Sequence, residues 1–255
     1  MSSAPSPEHP RHLHAEAKRW AESLLAHAHL AWSGSWKQER LLFVCSIVQF
    51  GLFACLAWWV RRHPVDAPDV AFTRIAQKQR PGWVQVVIQG LSSIAGSATL
   101  FNVLTFPVVL LFWLQRLRLE AVMSAITSWG MLLVRVLVQR LVHRPRPSSL
   151  LVHVSHHKQS KSFPSGHVTS SLTFWGWLLA VGLNRWSGSQ TRKKALLSIP
   201  ALLVAFVGLS RVYLGEHWAT DVLGGYLLGG GWVSLCLQVY HQLRKDRVLA
   251  QQRRG

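Results

Sequence analysis

Leu41 to Val60 is a run of twenty residues without a single charge, and it decides which solvent this chain is built for. At about 1.5 Å per residue such a helix spans the roughly 30 Å of hydrocarbon in a bilayer. Pro81 to Gln115 is also uncharged, although Gln85, Gln89, Ser92 and Ser93 make its first third too polar for a simple span. It reads as an interfacial lead-in followed by a span from Gly96 to Leu114. Ala121 to Val142, Val168 to Leu183, Ala195 to Leu209 and Val222 to Tyr240 are further apolar segments of helical length. The expected fold class is therefore all-α: an integral membrane bundle of six transmembrane helices, preceded by an N-terminal amphipathic segment. The expected organisation is a polar segment over 1–40, the bundle over 41–243 and a basic tail over 244–255.

Charge alone suggests a different protein. The 28 Lys and Arg against 10 Asp and Glu leave a formal charge of +18, a balance often met in nucleic-acid binders. The apolar runs overrule that reading, and no basic aromatic surface remains outside them, so no nucleic-acid partner is expected. Among the 13 tryptophans, Trp36, Trp58, Trp59, Trp83, Trp113 and Trp186 fall at span ends, as interfacial aromatics do. Cys45, Cys55 and Cys236 lie inside spans without metal-ligand spacing, so neither disulfides nor a zinc site is expected. The first forty residues lack the pattern of a cleavable signal peptide, making the first span a retained anchor. Within them Leu13, Ala17, Trp20, Leu24, Ala28 and Trp32 recur at helical steps, giving a helix able to lie along the headgroups. His9, His12, His14, His27 and His29 share no face of it.

Alternating helices place the N-terminus, the 115–120 and 184–194 loops and the C-terminus on one side with sixteen Lys and Arg, against ten on the other. Basic residues concentrate in cytoplasmic loops, so both termini are expected in the cytoplasm. The same alternation brings three polar motifs to the opposite, extracytoplasmic end. These are His143 to Pro147, Pro164 to His167, and Ser210-Arg211 with His217 and Asp221.

Asp221 follows His217 by four residues, so on a helix the two share a face. A carboxylate there fixes the imidazole tautomer and leaves the other ring nitrogen as a nucleophile toward phosphorus. Pro164-Ser165-Gly166-His167 reads as a loop entering a helix, where free amides bind phosphate oxygens and Gly166 permits close approach. His167 is then placed to protonate the leaving oxygen and later activate water. Arg146 and Arg211 offer permanently charged, planar donors for phosphate. Carboxylates are too scarce around these motifs for a magnesium cage, so no metal and no cofactor are expected.

The set resembles the signature of the type 2 phosphatidic acid phosphatase family, shared with vanadium haloperoxidases. That signature has Lys and Arg-Pro with six residues between them, then Pro-Ser-Gly-His, then Ser-Arg with His and Asp at the spacing of Arg211, His217 and Asp221. The last two motifs match throughout, and the first matches at Arg146-Pro147 but has Gln139 in the place of the lysine. By the resemblance His217 is the nucleophile, Asp221 orients it, His167 is the general acid and base, and Arg146, Ser165, Gly166 and Arg211 hold the phosphate. Gln139, and Arg140 beside it, become candidate substrate contacts. The resemblance implies a lipid phosphate in the bilayer as partner, with undecaprenyl diphosphate, phosphatidylglycerophosphate and phosphatidic acid as leading substrates. A lipid phosphotransferase would use the same histidines, and a degenerate lipid-binding copy of the fold is the non-enzymatic alternative.

Other polar residues have plainer readings. His153, His156 and His157 with Lys158 and Lys161 read as a solvated basic loop, and Arg135 as a snorkelling or helix-contact residue in the third span. Gly225 and Gly229 permit close helix packing. Glu216 either tunes His217 or is an exposed loop carboxylate.

Overall fold

The first uncharged run folds as the helix Glu39–Arg62 (α1), whose apolar side chains mostly face outward. The structure, a computed structural model, describes residues 37–255 apart from 38, 80, 97, 157–159, 185–188 and 253–255. The expected N-terminal amphipathic helix with its histidines, and Trp36, Trp186, His157 and Lys158, lie outside the described residues. Chain contacts divide the molecule at Leu42, and the helices that follow belong to the compact unit Phe43–Gly255.

A helix arises where the sequence suggested only a connection: α2, Ala67–Ala76. Pro68 sits in its first turn, where a missing N–H breaks no helical bond. Its amphipathicity is inverted relative to a soluble protein: Asp69 and Thr73 are buried, whereas Phe72 and Ile75 are exposed. Next come α3 (Gly82–Gly96), the polar lead-in, and α4 (Ala98–Leu114), the apolar helix expected after it.

The third span is one continuous stretch, α5 (Arg118–Ala125), a π-turn over Ile126–Gly130 and α6 (Met131–Val142). A π-turn shifts the bonding ladder, and here the Thr127 carbonyl accepts a 3.0 Å bond from the Trp232 indole. His143 stops α6 in the left-handed conformation (φ 55°) and Pro145 follows. The remaining helices are α7 (Gly166–Asn184), α8 (Gln190–Tyr213) and α9 (Ala219–Gln252). Because α9 runs on to Gln252, the basic segment expected as a separate tail from 244 is a continuation of the last helix.

All regular structure among the described residues is helical. Three helices are long and apolar enough to cross a membrane, Glu39–Arg62, Arg118–Val142 and Ala219–Arg247, with shorter apolar helices at Thr99–Leu114 and Ser198–Tyr213. Phe43, Val44, Ile47, Leu52, Val103, Phe106, Leu110, Leu133, Leu137, Leu141, Leu202 and Leu209 are exposed along these helices. A surface of that kind is stable against lipid, not against water. The interior is closed by small residues on α9, which packs most extensively on α7. A Cβ at Gly225 would stand 2.9 Å from Val168 Cβ, and one at Gly229 3.2 Å from Leu172 Cδ2. Both glycines therefore serve close helix packing.

Candidate active site

The C-terminal ends of α6 and α8 and the N-terminal ends of α7 and α9 meet at one end of the molecule, and the three motifs meet with them. His217 is buried in the short turn between α8 and α9, with its amide donating to the Arg211 carbonyl at 3.3 Å. It precedes the start of α9, so its pairing with Asp221 spans a helix entry and does not run along a helix face as the spacing suggested. Nδ1 lies 3.4 Å from Asp221 Oδ2, a long charge-to-dipole approach and not a tight hydrogen bond. Nε2 lies 3.3 Å from Arg146 Nη1. The His167 ring, in the first turn of α7, stands edge-on to that of His217 with centroids 6.4 Å apart and planes at 65°. Burial is the main influence on His217 and drives its pKa below the ordinary 6.5, opposed by the nearby Asp221 carboxylate. The imidazole is thus neutral near neutral pH, with its second nitrogen directed to the arginine side.

Arg146 is held from two directions. Its Nε donates to the Ser160 carbonyl at 3.0 Å and its Nη1 to the Glu216 carbonyl at 2.7 Å. Burial lowers the pKa of Arg146 while Glu216 and Asp221 raise it, and an arginine so far above neutrality keeps its charge. Arg211 Nη1 pairs with Glu216 Oε2 at 3.1 Å, and Nη2 donates to Ser92 Oγ from α3. Two buried polar atoms of the expected phosphate site, Ser165 Oγ and Arg211 Nε, have no hydrogen-bond partner. Such atoms are costly to bury alone and suit a ligand that accepts hydrogen bonds. The Ser165 amide donates to the Asp221 carbonyl at 3.0 Å, tying the start of α7 to that of α9. The first-turn amides of α7 are left for an anion.

Motif reading missed the group that holds Asp221. Arg144 is fully buried, with Nη1 2.7 Å from Asp221 Oδ1 and 2.6 Å from Thr220 Oγ1, and Nη2 2.6 Å from Asp69 Oδ2. Its Nε donates to the Pro64 carbonyl at 2.9 Å. Asp69 accepts the Thr220 amide at 3.0 Å, and Asp221 Oδ2 accepts the Trp218 amide at 2.9 Å. The inverted helix α2 exists to deliver Asp69 into this network. The available signals were the doubled Arg-Pro of residues 144–147 and the scarcity of acids, which makes any buried acid conspicuous.

Gln139 is half-buried and accepts a 3.2 Å bond from Arg135 Nη1, while Arg140 is exposed. Arg135, read above as a snorkelling or helix-contact residue, lies against the start of α7: a Cβ on Gly166 would stand 2.9 Å from its Nη1. Glu216 is buried, not an exposed loop acid. The loop expected to be merely solvated is fastened at several points. His156 Nε2 is 2.9 Å from Gln89 Nε2 and its Nδ1 3.5 Å from Glu216 Oε1, and Gln77 bonds both the amide and the carbonyl of His153. Among the described residues no three His, Cys, Asp or Glu side chains are grouped to hold a metal ion.

A bundle of apolar helices carrying this polar cluster at one end defines a membrane enzyme class, and the chain belongs to the PAP2 superfamily, whose model matches residues 119–245. It is 30% identical to "Phosphatidylglycerophosphatase B" of Bacillus subtilis over 181 residues, 71% of this chain and 87% of that protein. It is 33% identical to "Decaprenylphosphoryl-5-phosphoribose phosphatase" of Mycobacterium tuberculosis over 117 residues, 46% of this chain and 59% of that one. The crystal structure of a transmembrane PAP2-type phosphatidylglycerolphosphate phosphatase from Bacillus subtilis matches with TM-score 0.64 at 25% identity, covering 75% of this chain and 93% of that chain. Asp69 and Ser92 precede the matched family region, yet both bond to residues inside it.

Proposed function

We propose that this chain hydrolyses a lipid phosphomonoester or diphosphate through a phosphohistidine on His217. The observation that carries the reading is the pair of edge-on histidines, centroids 6.4 Å apart, with Arg146 Nη1 3.3 Å from His217 Nε2. Nε2 attacks phosphorus as the bond to the lipid oxygen breaks, and protonated His167 gives its proton to that leaving oxygen. Water then attacks the phosphohistidine and passes a proton to His167, while the P–N bond breaks to return neutral His217 and inorganic phosphate. Asp221, held by Arg144, keeps the proton on Nδ1. Arg146, Arg211, Ser165 and the α7 amides, Gly166 foremost, stabilise the equatorial oxygens of the transition state. The carboxylates at the site are already committed to Arg144, Arg211 and His217, which supports a reaction without a metal ion.

An apolar groove lined by Phe72, Ile88, Phe206, Leu209 and Val212 runs beside Ser210-Arg211 and suits an acyl or isoprenyl chain. Phosphatidylglycerophosphate, undecaprenyl diphosphate and phosphatidic acid are the substrates to compare, the first favoured by the names of the similar proteins from Bacillus subtilis. In the bilayer the bundle has six spans, with both termini cytoplasmic and the site on the extracytoplasmic face. The test is release of inorganic phosphate from those three lipids in detergent. Activity on at least one, abolished in His217→Ala, is the expected result; phosphate release that survives His217→Ala overturns the mechanism.

A further inference from the structure

We infer that Arg135 supplies the phosphate-binding cation that Gln139 does not, reaching the phosphate loop from one helical turn away. The inference rests on the phosphatase reading above. Arg135 and Gln139 are four residues apart on α6 and so share a face. The Gln139 carbonyl oxygen takes a 3.2 Å bond from Arg135 Nη1, which holds the guanidinium in position. The same Nη1 is also the guanidinium atom that lies nearest Gly166 in the Pro-Ser-Gly-His loop. A Cβ built on Gly166 would stand 2.9 Å from Nη1, 3.2 Å from Cζ and 3.4 Å from Cδ. Glycine at 166 is therefore what lets this arginine approach the first turn of α7, immediately after the unpartnered Ser165 hydroxyl.

A snorkelling role fits these contacts poorly. A snorkelling side chain carries its charge out to water, whereas Arg135 Nε is buried without a hydrogen-bond partner and Nη1 ends on a neutral amide. Arg144 has Asp69 and Asp221, Arg211 has Glu216, and Arg146 stands in the field of Glu216 and Asp221. Among the described residues no carboxylate pairs with Arg135. Arg146 is its like-charged neighbour. A half-buried cation in a membrane helix, with no carboxylate paired to it among the described residues, is stabilised when an anion arrives, and a lipid phosphate is that anion. Arg140, nearer Gln139 in sequence, is exposed and makes none of these contacts.

The test uses Arg135→Gln, Arg135→Lys, Gln139→Lys and the double variant Arg135→Gln with Gln139→Lys, purified in detergent. Loss of a charge-assisted bond to phosphate raises KM for the lipid by about 10- to 100-fold, with a smaller change in kcat. Arg135→Lys keeps part of the affinity. The double variant, which moves the cation to position 139, recovers most of what Arg135→Gln loses, and Gln139→Lys alone gains nothing over the natural chain. A second readout needs no turnover: the rise in melting temperature on adding vanadate shrinks in Arg135→Gln and returns in the double variant. Unchanged KM and vanadate response in Arg135→Gln, or no recovery in the double variant, overturns the inference. A natural chain that responds to vanadate but releases no phosphate from any lipid counts against the hydrolase reading and leaves the vanadate comparison to decide the role of Arg135.

Discussion

Arg144→Met probes the proposal that Arg144 orients His217 by holding Asp221. The substitution keeps roughly the length of the side chain and removes the cation that sits between two buried carboxylates, 2.6 Å from Asp69 and 2.7 Å from Asp221. Four donated bonds disappear with it, to Asp69, Asp221, Thr220 and the Pro64 carbonyl. Summing them singly would overstate the loss, because what dominates is the uncompensated burial of the partners left behind. Breaking a buried pair in this way costs about 3–5 kcal/mol. For a unit of this size that corresponds to a fall in melting temperature of roughly 6–20 °C, measured in detergent by intrinsic fluorescence. Activity falls further than stability. Asp221 loses the bond to Oδ1 and its hold on His217 slackens, so kcat should drop by a factor approaching the ~10⁴ that a mis-set base costs in a serine protease triad. Adding Asp69→Asn to Arg144→Met removes one of the stranded charges, and should restore part of the melting temperature while kcat stays low. A folded Arg144→Met enzyme with kcat near that of the natural chain would show that Asp221 does not depend on Arg144.

Further outcomes follow from the same geometry. His217→Ala and His167→Ala each abolish phosphate release, whereas Asp221→Asn leaves about 10⁻⁴ of it, and near-normal turnover in either alanine variant sinks the mechanism. The neutral form of His217 is the reactive one and its pKa lies below 6.5, so kcat/KM holds as pH falls through 6.5 and declines only at lower pH. An NMR titration of the His217 imidazole centred above 6.5 contradicts the burial argument. Chelator leaves activity intact and vanadate inhibits; activity that returns only with added magnesium refutes metal independence. For sidedness, Leu150→Cys is the better probe at the site end, since Leu150 is 92% exposed while Ser155 is fastened to Leu214. In a background without the native cysteines an impermeant reagent should label Leu150→Cys in intact cells and not Ser189→Cys. Reversed labelling would put the chemistry in the cytoplasm.

What was legible in one dimension is what local physics decides. An uncharged helical run declares its solvent regardless of its neighbours, because no water is present in a bilayer to receive backbone or charge. Pro164 to His167 announces a helix entry, and the free amides of a first turn are a property of any such entry. The motif spacing therefore picked out His167, His217, Asp221, Arg146 and Arg211 as candidates, and the fold brings these residues to one end. Tertiary structure alone decided how their charges are balanced. Nothing in the doubled Arg-Pro says that Arg144 turns inward to carboxylates while Arg146 turns to His217. The Asp69 that bonds Thr220 stands 151 positions away, on a helix the apolar pattern does not reveal. Likewise the sequence left Arg135 between snorkelling and helix contact, and only packing set it against Gly166. A buried charge is stable only beside its complement, and that complement arrives from elsewhere in the chain through packing, a relation that no local pattern of residues records.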